Sequence, residues 1–378
     1  MRRGLLCEGE KVQFTDRKGK MITVQLAAGG STQTERGFID HDDAIGAQPG
    51  SVILTVTAAQ LRERHEAKRA SESDAIESSG AYGHADQSDG HPDRPIKPWK
   101  QARRQIGGWA YTVMRPRMCD YVLSMPRGPQ IMYPKDIAQV IQLGDIRRGH
   151  RVLESGAGSG AMSLNLLDAV GQEGGLTTIE LRPDFARVAE ANATVYYGRR
   201  PEWWRLEVGD FDTVAARLEA DRYDRIMLDM LDPWNRLEQA HRVIAPGGVL
   251  VCYITTTTQM SRLVEALRDS GQWTEPEIQE TLERSWKAQG LAVRPDHQMI
   301  GHTGFLVVSR AMADGFEALK KRDRATKDTV TDVDDLSAEE RAAALEDLEL
   351  RDISDRKLRK VLRDLDRQVA QLEGNATD

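Results

Sequence analysis

Four acidic side chains, Glu154, Glu180, Asp210 and Asp229, each close a short, largely apolar run, and chemistry is possible where such runs end. The stretch IMLDMLDPW, from Ile226 to Trp234, sharpens the point. Its aliphatics suit a buried strand, yet it delivers Asp229 and Asp232 at its far end. A carboxylate is costly to bury unless something partners it. Just after Glu154 comes Ser155-Gly156-Ala157-Gly158-Ser159-Gly160-Ala161. Glycines there permit tight turning and let a ligand approach the backbone. A helix starting behind them offers unpaired N–H groups to a polar or anionic group.

These residues need a scaffold that sets strand ends side by side. From Gly149 the chain alternates RVLE, AMSLNLLDAV, LTTIEL, DFARVAEANATVYY, WRLEVGD, IMLDML, LEQAHRVI and VLVCYI. Strand–helix alternation of this kind predicts an α/β fold, a mostly parallel sheet with helices on both faces. TGFLVVSR predicts a last strand at the sheet edge. Ligands of open α/β sheets bind in the crevice outside the carboxyl ends of the strands. Glu180, twenty residues past Gly160, stands where an acid accepts both ribose hydroxyls of an adenosine-bearing cofactor. Gly209-Asp210-Phe211 offers an acid and an aromatic to the adenine. Because Gly156-x-Gly158-x-x-Ala161 also satisfies the loose dinucleotide pattern, the loop alone does not separate NAD from S-adenosylmethionine.

Outside this region the chain changes character. Residues 10–57 contain EKVQFTD, KGKMITVQL and SVILTV separated by turns, which predicts a small all-β domain over 1–57, continued by 107–124. Residues 58–106 are poor in aliphatics and rich in Ser, Asp, Gly and His, the composition of a disordered, solubilising insertion. His84 and His91 lie there without ordered neighbours, so no metal site is expected. The domain with the strand-end acids spans 125–312, and 313–378 is charge-dense with leucines near helical spacing, a solvated helical extension whose partner is unknown.

Of 378 residues, 40% are hydrophobic and 29% charged, fitting a soluble globular protein. No apolar run reaches the roughly 18 residues of a membrane helix, and MRRGLLCEGE has no apolar stretch of a secretory signal. Cys7, Cys119 and Cys252 are too widely spaced for a zinc or disulfide pattern and suggest reduced thiols in the cytoplasm. The net charge of −7 is concentrated after residue 331, with 14 acids against 8 bases. Lys97, Lys100, Arg103, Arg104, Arg115, Arg117 and Arg127 form a basic stripe broken only by Asp120, able to attract phosphates.

VLESGAGSG, with Glu154 closing the strand before the loop, resembles the class I S-adenosylmethionine-dependent methyltransferases. More narrowly, MPRGPQIMYPKD (125–136), LDMLDPW (228–234) and GHTGFLVVSR (301–310) resemble the tRNA (adenine-N1)-methyltransferases that modify position 58 in the T-loop. The resemblance covers roughly 8–57 and 107–310 and leaves out the insertion and the tail. It implies a Rossmann-like, mostly parallel seven-stranded sheet, S-adenosylmethionine as methyl donor, tRNA as partner and a homotetramer. It also implies cofactor contacts from Gly156 through Ala161, Glu180, Phe185, Asp210, Phe211, Asp229 and Met132.

Adenine N1 has an available lone pair, so methyl transfer removes no proton beforehand, and the methylated ring becomes cationic. A carboxylate accepting from the exocyclic N6 amino group stabilises that developing charge. Asp229 matches the family's catalytic position, and Asp232 is the alternative acid. Tyr133 suits stacking on an extruded base. Gln130 to Met132 would line the cofactor's inner side, Lys135 and Arg127 would reach phosphates, and Trp234 would shape the rim. His302 fits a structural hydrogen bond, since the mechanism gives it no proton to move. The glycine loop alone would equally serve a methyltransferase acting on a protein or a small metabolite, or a non-catalytic RNA-binding protein retaining the fold.

Overall fold

The computed structural model describes residues 3–79, 107–319 and 355–374. The chain divides after Asp120 into two compact units. The first unit is built on β1 (Lys11–Asp16), β2 (Met21–Gln25), β3 (Ser31–Thr34), β4 (Gly37–Asp40), β5 (Val52–Leu54) and β6 (Ala110–Met114). Four of these form an antiparallel sheet in the order β2-β1-β6-β5. The β1–β2 turn is fixed locally, because Asp16 Oδ1 accepts from the backbone N–H groups of Lys18 and Lys20 at 2.8 Å. Val12, Phe14, Tyr111 and Val113 fill the core beneath with Leu26 and Ile39. The β3–β4 hairpin escapes sequence reading, since STQT carries no apolar alternation.

The expected disorder from residue 58 is corrected over its first 22 residues, which form helix α1 (Ala58–Ser79). Its start is written locally. Thr57 Oγ1 accepts from the Gln60 N–H and Gln60 Oε1 accepts from the Thr57 N–H, a reciprocal capping box ahead of good helix formers. Averaging composition over the whole of 58–106 hid that signal. His84, His91, Lys97, Lys100, Arg103 and Arg104 lie outside the described residues. Of the remaining stripe, Arg115 is largely buried in a pair with Glu10 and so serves the fold, while the exposed Arg117 pairs with Asp120, both at 2.8 Å.

The second unit holds a seven-stranded sheet. Its parallel core comprises β7 (Arg151–Ser155), β8 (Gly175–Glu180), β9 (Trp204–Val208), β10 (Tyr223–Asp229) and β11 (Ile244–Ile254). The order is β12-β15-β11-β10-β7-β8-β9, with β12 at Glu277–Gln279, β15 at Phe305–Arg310, and a separate hairpin β13 (Trp286–Gln289) and β14 (Ala292–Pro295). Strand β15 runs antiparallel, but it is interior, because β12 pairs along its outer side and takes the edge. Chain direction across the sheet reverses between β7 and β10, and ligands of such sheets bind at that switch point.

Residues 320–354 and 375–378 of the tail lie outside the described residues, and over 355–374 the structure differs from the expected solvated extension. A terminal helix, α9 (Asp355–Gly374), packs on α5 (Pro183–Tyr197), burying Leu358 and Leu365 against Phe185, Val188 and Ala191. Burying two leucines contributes about 3–6 kcal/mol before entropy is counted.

Candidate active site

Two adjacent strand ends make the floor of the site. Gly156, at φ +94°, follows β7, and a Cβ on it would collide with the backbone carbonyl of Asp229 at the end of β10. Only glycine lets the two backbones approach this closely. Gly160, at φ +85°, plays the same part against α5, since a Cβ there would lie 3.2 Å from Ala189 Cα. The loop then runs into α4 (Ala161–Val170).

Above this floor opens a cavity of about 710 Å³. Of the residues expected from the sequence, Gln130, Gly156, Gly158, Glu180, Phe185, Asp210, Phe211, Asp229 and Asp232 line it. Glu180 is almost fully buried, with Oε2 accepting from the Gly158 N–H and Oε1 from the Arg182 N–H, each at 3.0 Å. Both oxygens retain further lone pairs for a ligand. Asp210 caps the helix at Phe211–Ala215 through Oδ1, which accepts from the N–H groups of Asp212 and Thr213.

The electrostatics of the floor are unusual. Glu154 is wholly buried, and its Oε2 accepts from Ser163 Oγ at 2.6 Å and Thr178 Oγ1 at 2.7 Å, while Oε1 has no hydrogen-bond partner. Burial pushes its carboxyl up to about 7 against those two hydrogen bonds, and the charges of Asp229 and Glu180 add to the rise. Asp229 is half-buried by surface area and still strongly desolvated at its carboxylate. Desolvation, then the Glu180 charge, pushes it up to about 7. Among the described residues, neither Glu154, Glu180 nor Asp229 forms an ion pair, and no hydrogen bond reaches the Asp229 carboxylate. Three acids without a cation suit a positively charged ligand, and the cavity volume lies in the range of small-molecule sites.

Other expectations are corrected. Lys135 does not reach outward: its side chain is 9% exposed, with Nζ held by Asp136 Oδ1 and Thr303 Oγ1, both at 2.6 Å. An ammonium buried in that pair is unavailable to a phosphate. Met132 is buried outside the cavity lining. Trp234 is partly buried against the hydrophobic core, with Arg262 5.7 Å from its ring centroid, and lies outside the cavity lining. Ala157, Ser159 and Ala161 are buried and hold the loop. Ser159 Oγ accepts from the Gly128 N–H, and its carbonyl accepts from Asn192 Nδ2. Arg127 is exposed and outside the lining, as is the half-buried Tyr133, which starts α3 (Pro134–Leu143) without capping it through its side chain. His302 bridges Glu280 Oε1 at 2.6 Å and the Thr255 carbonyl at 2.8 Å, and the Glu280 carboxylate, followed by that carbonyl, raises its pKa.

Sequence reasoning missed Tyr253 and Arg236, both of which line the cavity. Tyr253 stands opposite Asp229 in the β10–β11 register and donates to the Thr303 carbonyl at 2.7 Å. Burial, then the carboxylates of Asp136 and Asp229, push its hydroxyl well above its ordinary range. Its position at the end of VLVCYI, one strand beyond Asp229, was a usable signal. Arg236 ties Asp212 to Asp232, with Asp210 Oδ2 4.0 Å away. No sequence spacing announces that bridge.

Comparison with known proteins points to one family. Residues 4–53 match the family described as TrmI-like N-terminal, and residues 108–294 match the tRNA methyltransferase complex GCD14 subunit family. A tRNA (adenine(57)-N(1)/adenine(58)-N(1))-methyltransferase from Methanocaldococcus jannaschii is 32% identical over 224 residues, covering 54% of this chain and 79% of the relative. A tRNA (adenine(58)-N(1))-methyltransferase from Thermus thermophilus is 29% identical over 295 residues, covering 78% of this chain and 94% of the relative. In fold, the chain is similar to a crystal structure of a tRNA (m1A58) methyltransferase from Aquifex aeolicus, with a TM-score of 0.60 at 22% identity, over 82% of this chain and 100% of that one.

Proposed function

The chain belongs to the tRNA (adenine-N1)-methyltransferase family, and on that premise we propose that it methylates N1 of adenine 58 in the tRNA T-loop. S-adenosylmethionine supplies the methyl group as a sulfonium. The observation that carries this reading is Asp229, an unpartnered, desolvated carboxylate aimed into the cavity beside the glycine loop.

In this reading Glu180 accepts from the ribose hydroxyls of the cofactor, and Asp210 Oδ2, the oxygen its cap leaves over, accepts from the cofactor's adenine amino group. Phe211 and Phe185 line the apolar side of the same cavity. Tyr133 stacks on the target base once it leaves the tRNA stack, an interaction of about 1–3 kcal/mol. Asp229 accepts from N6 of that base and stabilises the positive charge that grows on the ring as N1 is methylated. The hydroxyl of Tyr253 stays neutral and holds the neighbouring wall through Thr303.

A cytoplasmic protein is consistent with three free cysteines, and no helix among the described residues is long and apolar enough to cross a membrane. The homotetramer stands as what the resemblance implies, and the apolar surface exposed by Trp286, Leu291 and Val293 of the hairpin β13–β14 is a candidate contact for it. Nucleoside analysis of tRNA incubated with the protein and methyl-labelled S-adenosylmethionine tests the function. Label in 1-methyladenosine at position 58 is the expected result, and unmodified tRNA alongside a labelled protein or metabolite would overturn it.

A further inference from the structure

Helix α5 is apolar on two sides. Ala189 faces the glycine loop at Gly160, the usual duty of a helix covering a parallel sheet. Phe185, Val188 and Ala191 meet Leu358 and Leu365 of α9, with Val361 and Leu362 packed at the margin. The contact is oriented by Arg187, whose guanidinium donates to both carboxylate oxygens of Asp366 at 2.7 and 2.8 Å. Phe185 is the shared member: it belongs to this cluster and also lines the cavity. The guanidinium of Arg182 lies 4.0 Å from the Phe185 ring centroid, and the Arg182 N–H donates to Glu180 Oε1 at 3.0 Å. A continuous set of contacts therefore runs from α9 through Phe185 and Arg182 to the acid assigned to the ribose.

We propose that α9 is a positioning element for cofactor binding, which holds Phe185 and the first turn of α5 in the arrangement that binds S-adenosylmethionine. The residues matched by the two families end at 294, so α9 lies outside both matches, whereas Phe185 and the rest of α5 that it packs on lie inside the second. The inference rests on the reading that the cavity binds this cofactor. With α9 undocked, Phe185 loses its backing and the binding-competent arrangement becomes one of several, which weakens apparent affinity by its lost population.

The test uses the full-length chain. Leu365→Asp, which places a charge in the buried contact, is expected to weaken cofactor binding about five- to tenfold by calorimetry. The KM for the cofactor should rise in step, while kcat at saturating cofactor and the KM for tRNA stay as in the parent. Leu365→Met should restore parent affinity. Should Leu365→Asp fail to fold, the salt bridge supplies the second arm: Asp366→Arg is expected to weaken binding about twofold, and adding Arg187→Asp should restore it. Unchanged cofactor affinity in folded Leu365→Asp, or in Asp366→Arg, would overturn the proposal. So would a fall in kcat with unchanged affinity. A parent chain that binds no cofactor at all would instead overturn the reading of the cavity.

Discussion

Two clusters of carboxylates in this chain face opposite fates. In the N-terminal unit, Asp40, Asp42 and Asp43 stand beside Arg64, His65 and Lys68 of α1. At the carboxyl edge of the large sheet, Glu154, Glu180 and Asp229 stand with no ion pair among the described residues. Burial pushes against ionisation of Asp42 in the first and of Glu154 and Asp229 in the second. In the first, Lys68 at 2.7 Å and the Gly29 N–H overcome it and hold Asp42 below its ordinary range. At Asp229 nothing overcomes it, and the carboxyl rises to about 7. Ligand atoms of Asp40, Asp42 and His65 come within 4.8 Å of one another, yet lysine and arginine already supply the positive charge there. The difference separates a latch from a site: folding completes the first cluster, whereas the second is completed by what binds to it.

Breaking the second cluster should produce the largest effect. Asp229→Ala is expected to lower kcat by about 10²–10³ with tRNA affinity little changed, measured by single-turnover methylation with filter binding in parallel. Asp232→Ala should be milder, because Asp232 is already engaged by Asn235 and Arg236. A larger loss at Asp232 would put the chemistry on that carboxylate.

Next in size is Glu180→Ala. If Glu180 holds the ribose as proposed, removing its two charge-assisted hydrogen bonds should weaken cofactor binding by about 1–3 kcal/mol. Calorimetry with unchanged affinity would remove Glu180 from the cofactor site.

The smallest effect belongs to the first cluster. Lys68→Ala should cost at most about 1 kcal/mol, since the pair is partly exposed and solvent screens it. Asp42 is depressed in the folded state, so its contribution is present above the unfolded carboxylate pKa and lost as pH falls through the lower folded value. Melting curves of Lys68→Ala and parent should therefore converge in acid, with methylation unaffected throughout. A collapse of methylation in this variant would join the two clusters that the structure keeps apart in character.

Much of the candidate site was legible because strand ends are local: RVLE, LTTIEL, WRLEVGD and IMLDML each announce their terminal acid in sequence. What stayed hidden depends on chain segments meeting from afar. Lys135 looks available until Asp136 and Thr303 close on it, the latter 168 residues away. Trp234 lies close to Asp229 in sequence yet turns to the core. In α9 the leucine spacing is visible in sequence, but the second apolar side of α5 that receives it lies more than 150 residues away and carries no local signal. The helix of residues 58–79 was missed for the opposite reason, because a local capping signal was averaged away.

The central claim is that Asp229 acts as an unpartnered carboxylate whose charge is supplied only at the cost of desolvation. The pH profile of the methylation rate with both tRNA and S-adenosylmethionine held below saturation, so that the free protein's ionisations are read, tests it most directly in the parent and in Asp229→Asn. Asparagine keeps an oxygen that accepts from N6 but carries no charge. With the carboxyl at about 7 in the free protein, the parent should gain activity about tenfold per pH unit below that value and level off above it. Asp229→Asn should be slow and flat across the same range. A step near 7 that persists in Asp229→Asn would place the titration on Glu154, the other acid raised to about 7, and would contradict the account.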